Sequence, residues 1–179
     1  MSAIADAIRS HLKSLLGLRL SRTTRAADMR CFQFGELHKI GQGAVGEYAL
    51  HVQCPWRFEG PEGIVTGRSD LWEPLDAEAE IDWNTWDYEE NENLQDELMN
   101  ILMQGYDPQT GSFSDDMDML VVEAVAGDTF GGATLTLSGG IHLVIFPAGS
   151  RSEDWRIFRP GTDEPHFVVS GGRIEAGEE

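Results

Sequence analysis

Apolar and polar residues alternate along this chain with two periods, and each change of period marks an element. Ile4, Ala7, Ile8, His11, Leu12, Leu15 and Leu16 recur at steps of three and four, the spacing of one helix face. Ser2 stands where a capping oxygen is wanted and Gly17 where a helix stops, so an amphipathic N-terminal helix is expected. Over 18–24 and 29–34 the period drops to two, predicting two strands joined by a short polar turn. The stretch 37–46 reads as a glycine-rich connector. The cleanest alternation runs over 47–58 and predicts one strand: Tyr48, Leu50, Val52, Cys54, Trp56 and Phe58 share a face, opposite Glu47, Ala49, His51, Gln53, Pro55 and Arg57. Pro55 donates no ladder hydrogen bond, which puts that end at a sheet edge or bulge. After a turn at 60–63, residues 64–67 are expected to return antiparallel to it.

A second helix is predicted over 88–104, with Leu94, Leu98, Ile101 and Leu102 on one face and Gly105 at the left-handed C-cap position. The opposite face, Glu89, Glu92, Asn93, Asp96, Glu97 and Asn100, forms a single acidic stripe. A polar loop over 106–116 then gives way to strands at 119–125, 133–137, 141–146, 155–158 and 166–169, with Gly139 and Gly140 in a tight hairpin. Short connections imply a consecutive antiparallel meander. The order helix, strands, helix, strands lacks regular βαβ alternation, so the expected class is α+β: an antiparallel sheet with an N-terminal helix and a central acidic helix. A chain of 179 residues suits one domain, taken as 1–179.

Charge sharpens this picture. From Ser69 to Ser150, 82 residues, there is no lysine or arginine, yet the stretch holds 18 of the 31 acidic residues, so the net charge of −18 arises entirely there. On the predicted helix Glu92 and Asp96 form a like-charge i,i+4 pair with no cation beside it, which costs about 0.2–0.5 kcal/mol. A surface shaped for solubility alone mixes both signs. The one-sided charge predicts an electropositive partner, drawn in by the field of Asp76, Glu78, Glu80, Asp82, Glu89, Glu92, Asp96 and Glu97. Nucleic acid is disfavoured as a partner, because phosphate contact needs clustered Lys and Arg.

Other chemistry is thinly signalled. His51, Gln53 and Arg57 share the polar face of the 47–58 strand, and Arg156 joins them if the terminal strands pair in the same sheet; such a group can hold an anion or a general base. His51 and Cys54 lie three apart on a strand and so face opposite ways, which argues against a shared metal ion. Asp115, Asp116 and Asp118 lack the EF-hand spacing. The glycine pairs at 131–132, 139–140 and 171–172 match no phosphate-loop order and read as turns. No metal or cofactor is expected. No apolar run reaches the length of a membrane span, and the first residues carry no secretory pattern because Asp6, Arg9, His11 and Lys13 interrupt them. Cys31 and Cys54 read as buried free thiols of a cytoplasmic protein.

The segments Leu50-His51-Val52-Gln53-Cys54-Pro55-Trp56-Arg57 and Gly67-Arg68-Ser69-Asp70-Leu71-Trp72-Glu73-Pro74 resemble stretches of an uncharacterised bacterial protein family. The resemblance covers these two segments and implies no activity and no catalytic residue. The expectation is therefore a non-enzymatic binding protein, immunity-like in type, whose acidic surface meets a basic protein. The alternative is a small-ligand binder or enzyme built on His51, Gln53, Arg57 and Arg156.

Overall fold

The run 47–58 is where the fold turns a corner. In the computed structural model, which describes residues 2–104, 106–107, 112–113 and 120–175, helix α1 (Ala3–Leu12) and a 3-10 turn (Lys13–Leu15) come first. Strands β1 (Leu20–Ala26), β2 (Met29–Phe34), β3 (His38–Ile40), β4 (Gly43–Val45), β5 (Tyr48–Val52), β6 (Trp56–Gly60) and β7 (Gly63–Gly67) follow. A second 3-10 turn (Arg68–Trp72) leads to helix α2 (Leu94–Leu102) and the short β8 (Tyr106–Asp107) and β9 (Ser112–Phe113). The last elements are β10 (Val122–Gly127), β11 (Ala133–Leu137), β12 (Ile141–Ile145), β13 (Glu153–Phe158), β14 (Phe167–Ser170) and β15 (Arg173–Ile174). One sheet has the order β1-β2-β5-β13-β14-β15 and the other β10-β11-β12-β6-β7. Every pairing within them is antiparallel. The class is α+β.

The single strand expected over 47–58 is thus two strands in different sheets. Pro55 has no N–H to offer a ladder, and the N–H groups of Gln53 and Cys54 both turn to the Asp154 carbonyl, at 2.8 and 3.0 Å. The phase survives the corner: Leu50, Val52, Cys54, Trp56 and Phe58 are all buried. One face of the sequence run therefore supplies the inner face of both sheets. The meander is divided in the same way, since β12 pairs with β6 whereas β13 pairs with β5. The connector 37–46 contains a hairpin, β3–β4, tied to β1 by Arg22 Nη1 donating to the Ala44 carbonyl at 2.8 Å.

The inner faces enclose one contiguous core to which both helices contribute. Trp56, Trp155, Phe32, Phe34 and Phe58 are its largest members, each stabilising the fold by about 1.5–3 kcal/mol. Phe32 meets Trp56 and Phe58 edge-on, at 5.4 and 5.7 Å. Helix α1 packs on β10, and Gly127 permits its close approach: a Cβ there would stand 2.7 Å from Ile8 Cβ and 2.8 Å from the Ala5 carbonyl. Along one side the sheets are stitched by hydrogen bonds from Gly17 N to the Val122 carbonyl and from Val122 N to the Leu18 carbonyl, both 2.9 Å. Among the described residues no helix is long and apolar enough to cross a membrane.

Candidate functional site

The acidic segment is anchored where β2 runs out from under the opposite sheet. Arg30 stands in phase with Phe32 and Phe34 on the inner face of β2, yet it lies at the strand's end, where its guanidinium reaches α2. Helix α2 begins at Leu94, not at residue 88 as the periodicity predicts. The reason is Asn93, whose side chain accepts from the Asp96 N–H at 2.9 Å and caps the helix there. Residues 88–90 form a turn instead, and 91–92 are irregular. Extended pairing holds the approach to the helix, with Leu94 N donating to the Glu73 carbonyl at 2.8 Å beside the Pro74–Asn93 bridge.

Two polar residues of the first turn then dock the helix. Gln95, which is buried, donates to the carbonyls of Gly67 and Arg68 at 3.0 and 3.2 Å and accepts from Arg30 at 3.2 Å, joining the two sheets. Asp96 accepts from Arg30 Nη1 at 2.6 Å, from Arg25 Nη2 at 3.1 Å and from Asn93 Nδ2 at 2.8 Å. Arg30 also donates to Thr23 Oγ1 at 2.8 Å. Burial pushes the Asp96 carboxyl up, but the hydrogen bonds from Arg30, Asn93 and Arg25 outweigh it and hold the group below its usual range. Burial lowers Arg30, and the Asp96 carboxylate opposes that loss. A guanidinium stays charged, so the buried cation requires its acid.

Asp96 is therefore a structural acid, in contrast to the rest of the predicted partner-binding set. Asp76, Glu78, Glu80, Asp82, Glu89, Glu92 and Glu97 are all exposed, and among the described residues none of them forms an ion pair. The segment 73–92 that carries most of them has no regular strand or helix. Side-chain turns order it: Asp76 accepts from Glu78 N at 3.0 Å, Asp82 from Asn84 N at 3.0 Å and Asp87 from Glu89 N at 2.8 Å. The Asn84 N–H also holds the Asp82 carboxyl below its usual value. Apolar groups stand among the acids. Trp83 is 64% exposed and packs edge-on to Trp86 at 5.9 Å, while Trp72 lies against Tyr88 at 6.1 Å. A hollow of about 340 Å³ opens beside α2, with Leu75 and Tyr88 as its apolar walls and Glu89, Glu92 and Glu97 around them.

The polar strand face is partly assembled and partly divided. His51 and Arg156 are cross-strand partners, and Gln53, exposed just past the end of β5, contributes to holding the Glu153 carboxyl low. Arg57 is elsewhere: it belongs to β6 in the other sheet, opposite Val144, and pairs with Glu59 at 2.7 Å. The corner at 53–55 separates what a single strand would have kept together. In exchange the fold adds Glu153, which pairs with Arg156 through two hydrogen bonds, one of 2.6 Å, and His166, 3.3 Å from Arg156. A bulge at Asp154 turns Glu153 to the side of Arg156 despite their odd spacing. Arg156 holds the Glu153 carboxyl low, and His51 is lowered by burial and then by Arg156.

Among the described residues no group of three His, Cys, Asp or Glu is placed to hold a metal ion; Asp115, Asp116 and Asp118 lie outside those residues. Both cysteines are free and buried, and burial, then Asp154, pushes the Cys54 thiol up to about 12. Set against family descriptions, curated proteins and solved structures, the chain matches none.

Proposed function

We propose that this chain is a binding protein that presents 73–97 to a basic protein partner. The observation that carries the reading is the contrast within the acidic set: one carboxylate, Asp96, is consumed by the buried Arg30 and by Arg25, while its seven companions are exposed and uncompensated. Unpaired acids of one sign stabilise nothing locally and raise the rate of encounter with a positive surface. Trp83 supplies the other ingredient of a protein interface, a large aromatic side chain ringed by polar groups. An ordered stretch of this length without secondary structure is uncommon unless it serves a function. The most concrete form of the reading is an immunity-like role, covering the basic surface of a nucleic-acid-processing enzyme.

The test is charge reversal of Glu89, Glu92 and Glu97 to lysine, leaving Asp96 in place so that the helix anchor is untouched. A basic protein captured by the wild type at low salt, weakened toward about 0.15 M salt and lost with the triple variant supports the reading. Equal capture by both proteins at every salt overturns it.

A further inference from the structure

A second hollow, of about 290 Å³, opens between the end of α1, the start of β5, the end of β13 and the start of β14. Rings dominate it: His11, Tyr48, Phe158 and Phe167 line it together with the exposed ion pair of Arg159 and Glu164, 3.1 Å apart. These rings are held in place without any ligand. His11 is an exposed residue, yet it stacks on Phe167 at 4.0 Å and 19°, and its Nδ1 donates to the Ala7 carbonyl at 3.0 Å. Because a carbonyl only accepts, Nδ1 carries the proton and Nε2 of the neutral ring is an acceptor. Phe158 is fixed by His166, stacked at 4.2 Å, and by His51, edge-on at 4.9 Å. The Arg159 guanidinium lies 5.7 Å from the centroid of the Tyr48 ring.

We propose that this hollow binds a small, uncharged, planar heteroaromatic ring of the purine-base type. Aromatic walls favour a ligand with a flat π face, since stacking adds to simple area burial. The polar lining offers both signs of hydrogen bond: spare N–H groups on Arg159, and acceptors on Glu164 and His11 Nε2. A ligand edge that both donates and accepts satisfies them together. Charge decides against anions. Arg159 is already paired with Glu164, so the hollow offers a phosphate or carboxylate group no uncompensated cation. The volume falls at the small end of ligand sites, which run from roughly 300 to 1,000 Å³, and suits one bicyclic ring. None of the lining residues belongs to 73–97, so the site is independent of the acidic surface.

The experiment is an NMR titration of the full chain with adenine, adenosine monophosphate and benzoate. Adenine is expected to shift the ring signals of His11, Tyr48 and Phe167 saturably, with Kd on the order of 1 mM for a ligand this small. Both anions should bind at least about tenfold more weakly. His11→Ala and Arg159→Ala, at exposed positions, should each weaken adenine about fivefold while the chain remains folded. The proposal is overturned if adenine gives no saturable shift, if the shifts fall outside the hollow, if benzoate binds as well, or if both variants bind adenine like the wild type.

Discussion

Arg30 Nη1 lies 2.6 Å from Asp96 Oδ1, joining strand β2 to the first turn of α2 across 66 positions of sequence. The arginine is 5% exposed and the acid 37%. This pair decides which of the clustered acids is architecture.

Asp96→Asn should lower stability by about 2–3 kcal/mol, at or below the range for breaking a buried pair because the acid is partly solvated. Glu89, Glu92 and Glu97 changed together to glutamine should move it by less than about 0.5 kcal/mol. Urea midpoints of the two variants give the comparison. Similar losses for both would mean that Asp96 holds nothing its neighbours do not.

Acid should unfold the chain in two steps. The folded pKa of His51 is depressed, so below pH 6.5 the unfolded chain takes up a proton that the folded chain refuses, and stability falls until the folded pKa is passed. Asp96 and Glu153 are also depressed, and the stability they contribute is present above their unfolded values, 3.8 and 4.5, and lost as pH falls through the folded ones. Asp154, raised first by burial, works the other way. Unfolding midpoints from about pH 8 to 3 should show the first step in the wild type and not in His51→Gln. Parallel curves for the two proteins would exclude His51 as the source.

Gly127→Ala should cost about 1–3 kcal/mol through overpacking, because the new methyl group would meet Ile8 and the Ala5 carbonyl within 2.8 Å. The loss should be local at first. Amide exchange in α1 should speed up more than exchange in β5 or β13, and uniform acceleration would speak against the contact.

Neither thiol should react with a disulfide reagent in the folded chain at about pH 8. Cys54 is pushed up to about 12 by burial, and Cys31 is raised for the same first reason. Both should titrate fully in denaturant. A thiol that reacts at the same rate before and after unfolding would contradict the burial.

Periodicity reported burial well in the strands and poorly in α2, where Gln95, Met99 and Leu102 are buried and Ile101 is exposed, and it reported connectivity poorly. Tyr48 through Phe58 alternate without a break, and the side chains fall on the core face as that alternation requires, because facing the core depends only on local phase. Whether 47–58 is one strand or two depends on Asp154, whose carbonyl takes the N–H groups of Gln53 and Cys54 from far along the sequence. The same holds for the predicted group of His51, Gln53, Arg57 and Arg156. His51 and Arg156 come together by register, while the corner sends Arg57 to the other sheet. Glu153 joins them only because a bulge at Asp154 reverses its side. One signal for the helix anchor was legible: Arg30 shares its phase with Phe32 and Phe34, and a cation on a core face needs a partner.

The sequence by itself determined the α+β class, the buried faces of the strands, the cap of α1 at Ser2 and the charge asymmetry, all of which follow from composition and from short-range spacing. Tertiary structure decided the division into two sheets, the start of α2 at Leu94 and the separation of Asp96 from the exposed acids. Those depend on pairing and on hydrogen bonds between residues distant in sequence, and a charge count cannot tell a carboxylate that faces solvent from one that neutralises a buried arginine.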